Sequence, residues 1–328
     1  MFKNDRTGVV MGVHVDDLII AGKLDAVEAT KAQLAAIFKM KDQGELAFFL
    51  GMRVQQDRSN GTIRIDQSHY VKELLRRFNM TDCNPVSSPS ENYNHMKRAG
   101  AGDLRCDQKV YQEAVGGLLY LAMLTRPDIA FEVGQFSQFC QDPSVANWNG
   151  VLRVLRYVRG TINYGIVYGN GNLKLYGYCD SDYAAAEDRK CVFGDGFILN
   201  NGIVAWQSQK QTTNVAATME AEYIASCEAG KLAIFLHDVL YALHPGDYLP
   251  ITLRCDNLGT IQFAHNPAFH KRSKHIDNRY HYLRQLIEDD LISLEHVSTK
   301  AQAADLFTKP LRYQAFAPAL GVFGIKGV

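Results

Sequence analysis

The sequence predicts an α/β protein, in which an α+β first part precedes a second part built on a mixed sheet. Three observations carry this. Residues 52–66 alternate as MRVQQ and TIRID around Asn60-Gly61, the strongest short-range hairpin signal in the chain. From Leu173 onward, three β-prone runs read as a meander (LKLYGYC, VFGDGFIL and, after Asn200-Asn201-Gly202, IVAWQS). Helical and strand patterns then alternate to about residue 307, as expected of a mixed sheet with helices.

Taken in order, Val9 to Val15 and Leu18 to Ile20 flank Asp16 and Asp17 as a first hairpin, ended by Gly22. A helix follows, with Val27, Leu34, Ile37 and Phe38 on roughly one face. Beyond the second hairpin, Ser68 is placed to cap a helix whose buried stripe is Val71, Leu74, Leu75 and Phe78. Residues 84–109 hold Pro85, Pro89 and several Ser and Gly with almost no apolar periodicity, and read as a linker. Helices resume at Tyr111 and break at Arg126-Pro127. A further helix, Ala146 to Val158, sets Arg153, Arg156 and Arg159 on one face before Gly160. After the meander come a long helix from about Thr218 to Leu243, the strand ITLRC, two helical stretches, the strand LISLEHV and a short helix at 301–307. No internal repeat is visible.

Composition narrows the function classes. The 328 residues are 47% hydrophobic, enough for about two cored domains. Lys and Arg number 35, and so do Asp and Glu, so the formal net charge is zero, with a pI near 7.1. The whole-chain basicity that often marks nucleic-acid binding is therefore missing. Seven cysteines are scattered singly without C-x-x-C or metal-ligand spacing, which suggests reduced thiols and an intracellular, cytoplasmic or nuclear, location. Acids interrupt the apolar start of the chain, so no secretion signal is expected, and no run approaches the ~18 apolar residues of a membrane span.

In the second part, isolated carboxylates recur at element ends. They are Asp180 after the first strand, Glu220 in the first turn of the long helix, Asp256 after ITLRC and Asp305 in the last helix. Residues so far apart meet only through the fold. Carboxylates gathered at strand C-terminal ends would repel unless a cation neutralised them. Oxygen donors without a His or Cys cluster favour Mg²⁺ or Mn²⁺ over zinc. Ordinary caps and strand-end residues would look the same at this level. A second constellation, His270 to Arg284, sets Lys271, Arg272, Lys274, Arg279 and Arg284 against Asp277, with Tyr280, His281 and Tyr282 interleaved. It suits phosphate and sugar contacts, and it equally describes a solvated helix face. His237 and His244 read as helix-end charges or packed residues, and Trp148 and Trp206 as core or interface anchors.

The blocks CDSDYAAAEDRK, SQKQTTNVAATMEAEYIA, LRCDNLGTIQFAHNPAFHKRSKHIDNRYHYLR and STKAQAADLFTKPL resemble the ribonuclease H domain of copia-type LTR retrotransposon polyproteins. Upstream, HVDDLIIAG, FKMKDQGELAFFLGMRV, QSHYVKELLRRFNM, GGLLYLAMLTRPDIAF and LRVLRYVRGTINYGIVY resemble the end of the same family's reverse transcriptase and the connection after it. The resemblance implies a reverse transcriptase remnant at 1–83, a linker at 84–109, connection helices at 110–170, a ribonuclease H-like mixed five-stranded sheet with helices at 171–312 and a tail at 313–328. It further implies a four-carboxylate site of Asp180, Glu220, Asp256 and Asp305 holding two Mg²⁺ or Mn²⁺ ions, roughly 3.5–4 Å apart, for cleavage of the RNA strand of an RNA–DNA hybrid. Groups sensing the ribose 2′-hydroxyl are expected in Gln211, Thr212 and Asn214 and around Asn257, with backbone contacts from Lys271, Arg272, Lys274 and Arg279. Asp16 and Asp17 resemble the paired polymerase aspartates, with His14 in place of a Tyr. Their third partner belongs to an upstream strand, so they are expected to be vestigial.

The sequence departs from the family at Tyr183 and the AAA after it, at Cys191-Val192-Phe193 where Ser-Thr-Ser is usual, and at Asn147 where a His is common. Two readings are carried forward: a metal-dependent ribonuclease H behind a truncated polymerase, and a non-catalytic relic that binds nucleic acid weakly.

Overall fold

The computed structural model describes residues 1–182, 191–211, 218–265 and 278–327. Strands β1 (Phe2–Lys3), β2 (Val10–His14) and β3 (Asp17–Ala21) form a small antiparallel sheet, with β2 and β3 joined at Val15-Asp16 as the first hairpin requires. Helix α1 (Leu24–Ile37) forms where the periodicity places it, but none of its residues is buried, and Ile37 and Phe38 are largely exposed. Among the described residues, no layer covers its apolar stripe. Strands β4 (Phe48–Phe49), β5 (Met52–Asp57) and β6 (Thr62–Asp66) follow, with Gly61 supplying the positive φ of the second hairpin.

Helix α2 (Ser68–Arg77) buries Val71, Leu74 and Leu75 as expected. Ser68 does not cap it. The Asp66 carboxylate accepts from the Ser68 backbone N–H instead, at 3.0 Å. The helices α3 (Gln108–Leu124), α4 (Ala130–Ser137) and α5 (Val145–Gly160) pack together, and α5 opens with a capping box between Ser144 and Asn147.

Residues 84–109, expected as a linker, lie against this bundle, burying Ser88, Ser90 and Met96. The three aligned arginines of α5 hold the segment and its approach. Arg153 pairs with Glu91 at 2.6 Å, Arg156 donates to the Asn84 carbonyl at 2.7 Å, and Arg159 donates to the Thr81 carbonyl. Asn147 adds hydrogen bonds to the carbonyls of His95 and Lys97. Low apolar periodicity misled here because polar side chains, rather than a hydrophobic stripe, fix the segment.

Next come β7 (Gly165–Gly169), β8 (Tyr176–Asp182), β9 (Val192–Leu199), β10 (Gly202–Lys210), α6 (Thr218–Leu243), β11 (Ile251–Cys255), α7 (Leu258–His265), α8 (Asn278–Glu288) and β12 (Ile292–His296). The main sheet runs β10-β9-β8-β11-β12, antiparallel through β8 and parallel from β8 to β12. This is the mixed five-stranded sheet with helices expected of 171–312. Side-chain alternation along β8 sends Tyr178 and Cys179 to opposite faces. Cys179 joins Leu253, Cys255, Tyr223 and Leu283 in a core beneath α6 and α8. Tyr178 joins Ile198, Ile203, Phe131 and Val154 in a second core shared with the bundle.

The segment 313–328 is expected as a tail, but its described residues, 313–327, contribute to that second core. Helix α9 (Tyr313–Val322) buries Phe316 and Leu320, and β13 (Ile325–Lys326) pairs antiparallel with β7. A second sheet thus runs β13-β7-β6-β5-β4. The seven cysteines carry free thiols. No helix among the described residues is long and apolar enough to cross a membrane.

Candidate metal centre

Because β8 and β11 are parallel neighbours, their C-terminal ends share one edge of the sheet. Asp180 lies near the end of β8 and Asp256 directly follows β11. Helix α6 approaches along its small buried residues Ser226, Ala229, Gly230 and Ala233, and the Ser226 hydroxyl lies 3.5 Å from the Cys179 sulfur. Four residues before Ser226, at the N-terminal end of that stripe, is Glu222. Oxygens of Asp180, Glu222 and Asp256 all lie within 4.8 Å of one another.

The acid that α6 contributes to this cluster is therefore Glu222 rather than Glu220, which is half-exposed. Two residues on a helix are separated by about 200°, so M-E-A-E-Y can aim only one of its two acids at the sheet. The small-residue stripe at i+4 and i+7/i+8 was the signal that identifies which.

Asp305 comes from a 3-10 turn, Ala303–Phe307, packed over β8 and β9. It approaches the site from the side of Asp180. Its neighbour Thr308 donates a hydroxyl hydrogen bond to Asp180 at 2.5 Å. Lys309 lies 2.8 Å from Asp305 and 3.6 Å from Asp180. Close approach of the turn depends on Gly194, the register partner of Asp180, where a Cβ would sit 2.4 Å from the Phe307 Cβ.

The electrostatics follow from burying several acids together. Burial, then the charges of Asp180, Cys255 and Asp256, pushes Glu222 up to about 10. Burial and Asp180 push Asp305 up to about 7 against the opposing pull of Lys309. Burial lowers Lys309, but the acids around it outweigh that and raise it overall. One Glu222 oxygen, Oε2, is buried with no hydrogen-bond partner. A cluster of oxygen donors with an orphaned carboxylate oxygen fits a hard divalent cation such as Mg²⁺ or Mn²⁺. Beyond the cluster, Asp182 accepts a hydrogen bond from the Tyr93 hydroxyl, which brings the 84–109 segment to the site's edge.

Of the residues expected to touch nucleic acid, Gln211 is buried and donates to the Ala221 carbonyl and the Ser181 hydroxyl. These bonds brace β8 against α6. Asn257 accepts from the Thr260 backbone N–H at the start of α7. Thr212, Asn214, Lys271, Arg272 and Lys274 lie outside the described residues, as does the side chain of Arg279 in α8. Asp16 and Asp17 are exposed at the first hairpin, and among the described residues no third acid joins them.

Residues 1–92 match the family model described as reverse transcriptase (RNA-dependent DNA polymerase). The chain is 35% identical over 325 residues to a retrovirus-related Pol polyprotein from transposon TNT 1-94 of Nicotiana tabacum, covering 93% of this chain and 24% of that protein. It is 35% identical to the Pol polyprotein from transposon RE1 of Arabidopsis thaliana, over 98% of this chain and 22% of that protein. A putative transposon Ty5-1 protein of Saccharomyces cerevisiae is 30% identical over 69% of this chain and 75% of its own length.

The chain belongs to the copia-type retrotransposon Pol family. It spans about a quarter of the length of the plant Pol polyproteins it matches. Among solved structures, ribonuclease H1 from Halobacterium salinarum aligns with 41% of this Pol segment and 94% of its own chain, at 18% identity and a TM-score of 0.29. The family model ends at residue 92. The acidic cluster therefore lies wholly within the part of the Pol segment downstream of the reverse-transcriptase match.

Proposed function

We propose that this Pol segment is a divalent-metal-dependent ribonuclease that hydrolyses the RNA strand of RNA–DNA hybrids. The observation that carries the reading is the convergence of Asp180, Glu222 and Asp256, from β8, α6 and the end of β11, within 4.8 Å. Bound at such a cluster, divalent ions prepare a water for in-line attack and stabilise the leaving oxygen of a phosphodiester.

The protein's own share is positioning and charge. Asp180 is the central acid. It adjoins both Glu222 and Asp305, and Thr308 orients it through a neutral hydroxyl that adds no competing charge. Burial favours the protonated form of Glu222, and a divalent ion held by Asp180, Glu222 and Asp256 would need its carboxylate form, with the orphaned oxygen as donor. Distinguishing a hybrid from DNA duplex falls to protein groups beside the cluster that sense the ribose 2′-hydroxyl.

The test is cleavage of a labelled RNA–DNA hybrid by the purified chain with Mg²⁺, beside Asp256→Asn. Metal-dependent cutting by wild type alone supports the reading. Equal cutting by both, or none by either, overturns it in favour of a non-catalytic relic with weak nucleic-acid binding.

A further inference from the structure

The four acids divide unequally. Asp180, Glu222 and Asp256 form a tight group in which a buried carboxylate oxygen has no partner. Asp180 and Asp305 lie against one another and already share a cation, the ammonium of Lys309, at 3.6 and 2.8 Å. An ammonium and a divalent ion would compete there for the same oxygens.

We propose that Lys309 is a positioning residue, a built-in counter-ion that holds Asp180 and Asp305 together and must withdraw before a second divalent ion takes that place. The inference rests on the metal-dependent reading of the site. It makes ion entry sequential, first at Asp180, Glu222 and Asp256 and then, against Lys309, at Asp180 and Asp305.

The local structure suits such a withdrawal. The backbone is fixed, since the Lys309 N–H donates to the Asp305 carbonyl and Pro310 restricts the residue before it. Movement is left to a flexible four-carbon stem whose side chain is 30% exposed, so the charge can reach water. The charge of Asp182 also acts on Lys309, favouring its ammonium form. Thr308 donates to Asp180 through its own hydroxyl, so the aim of the central acid does not depend on the ammonium.

The experiment is calorimetric titration of the metal-free full chain with Mn²⁺, comparing wild type with Lys309→Met and Lys309→Arg. Removing the positive charge should tighten the second ion by about tenfold or more, the scale of one near charge pair, and leave the first almost unchanged. Lys309→Arg should behave like wild type. Metal-free Lys309→Met should melt lower than wild type and gain more on adding Mn²⁺, which a merely damaged fold would not do. If Lys309→Met does not fold, Lys309→Gln repeats the comparison.

An unchanged or weaker second ion in the uncharged variant overturns the inference. So does a higher KM for hybrid with unaltered Mn²⁺ binding, which would make Lys309 a substrate contact. Should the first ion bind and hybrid be cut while the second ion ignores Lys309, the Lys309 inference alone fails. If no Mn²⁺ binds to any of the proteins, the metal reading fails with it.

Discussion

Trp206 of β10 donates its indole N–H to the carbonyl oxygen of Ala122 in α3, 2.9 Å away, and so ties the main sheet to the helical bundle. The bond lies beside a core in which Tyr178, Val192, Ile198 and Ile203 of the sheet meet Phe131, Val154 and Leu155 of the bundle. Trp206→Phe, which keeps an aromatic ring and loses the donor, should cost about 1 kcal/mol in denaturant unfolding. A fragment of residues 171–328 should be far worse off, because it uncovers that face. Size-exclusion chromatography and dye binding should show association and exposed apolar surface, whereas a monomeric, cooperatively folding fragment would contradict the shared core.

Glu222 and Glu220 offer a discriminating pair of substitutions. Glu222→Gln should reduce Mg²⁺-dependent hybrid cleavage on the order of a hundredfold or more, the scale of losing one charge-stabilising group. In metal-free buffer at neutral pH it should leave stability unchanged or improved, because it replaces a carboxyl that burial already holds protonated. Glu220→Gln should keep most of the activity. Rates measured on one labelled hybrid decide between them, and the reverse ranking would restore Glu220.

Glu132 sets a pH dependence. It is fully buried in α4, accepts from the Ser90 hydroxyl at 2.5 Å, and leaves its other oxygen without a partner. Burial pushes it up to about 8 from an ordinary 4.5. Between those values the folded protein keeps a proton that the unfolded chain has released, so rising pH favours unfolding. Its contribution is whole below about pH 4.5 and lost through pH 8, at a slope of at most ~1.4 kcal/mol per pH unit. Glu132→Gln should remove this component, giving a protein whose melting temperature falls less between pH 5 and 8. Parallel pH profiles of the two would contradict the assignment.

Gly194→Ala tests how the fourth acid is delivered. The added methyl would meet the Phe307 Cβ at 2.4 Å and Thr308 Cγ2 at 3.0 Å, so the 303–307 turn must lift from β9. Overpacking of this kind costs about 1–3 kcal/mol. The displacement carries Asp305, Thr308 and Lys309 away from Asp180. Cleavage should therefore fall well beyond what lost stability explains, which assay below the melting transition can show. Full activity in a destabilised variant would mean that the turn is dispensable.

Much of this was legible in the residues. Asn60-Gly61, the meander at 173–208 and the long helix carried their own local signals, and Asp180 and Asp256 declared themselves as acids at strand ends. What escaped had no local signature. The choice between Glu220 and Glu222 depends on which face of α6 meets the sheet, a tertiary fact hinted at only by the stripe from Ser226 to Ala233. The 84–109 segment is secured by Arg153, Arg156 and Asn147, whose partners are mostly backbone carbonyls that no side-chain pattern reveals. Burial of Gln211 and its bonds to the Ser181 hydroxyl and the Ala221 carbonyl depend on how β8 meets α6, which its own segment does not show. Helix α1 forms where its periodicity places it, but a helix pattern does not tell whether a covering layer exists.

Strand β13 reaches back to β7, itself paired with β6, whose hairpin was laid down more than two hundred residues earlier. A ribosome that has finished the acids at 180, 222, 256 and 305 has still not released the segment that closes this sheet and fills the core beside Phe307 and Phe323. Emergence of residue 326 is thus a checkpoint for the whole assembly. Chains interrupted by a stop codon shortly after Asp305 would carry every acid of the cluster and lack the structure that steadies it.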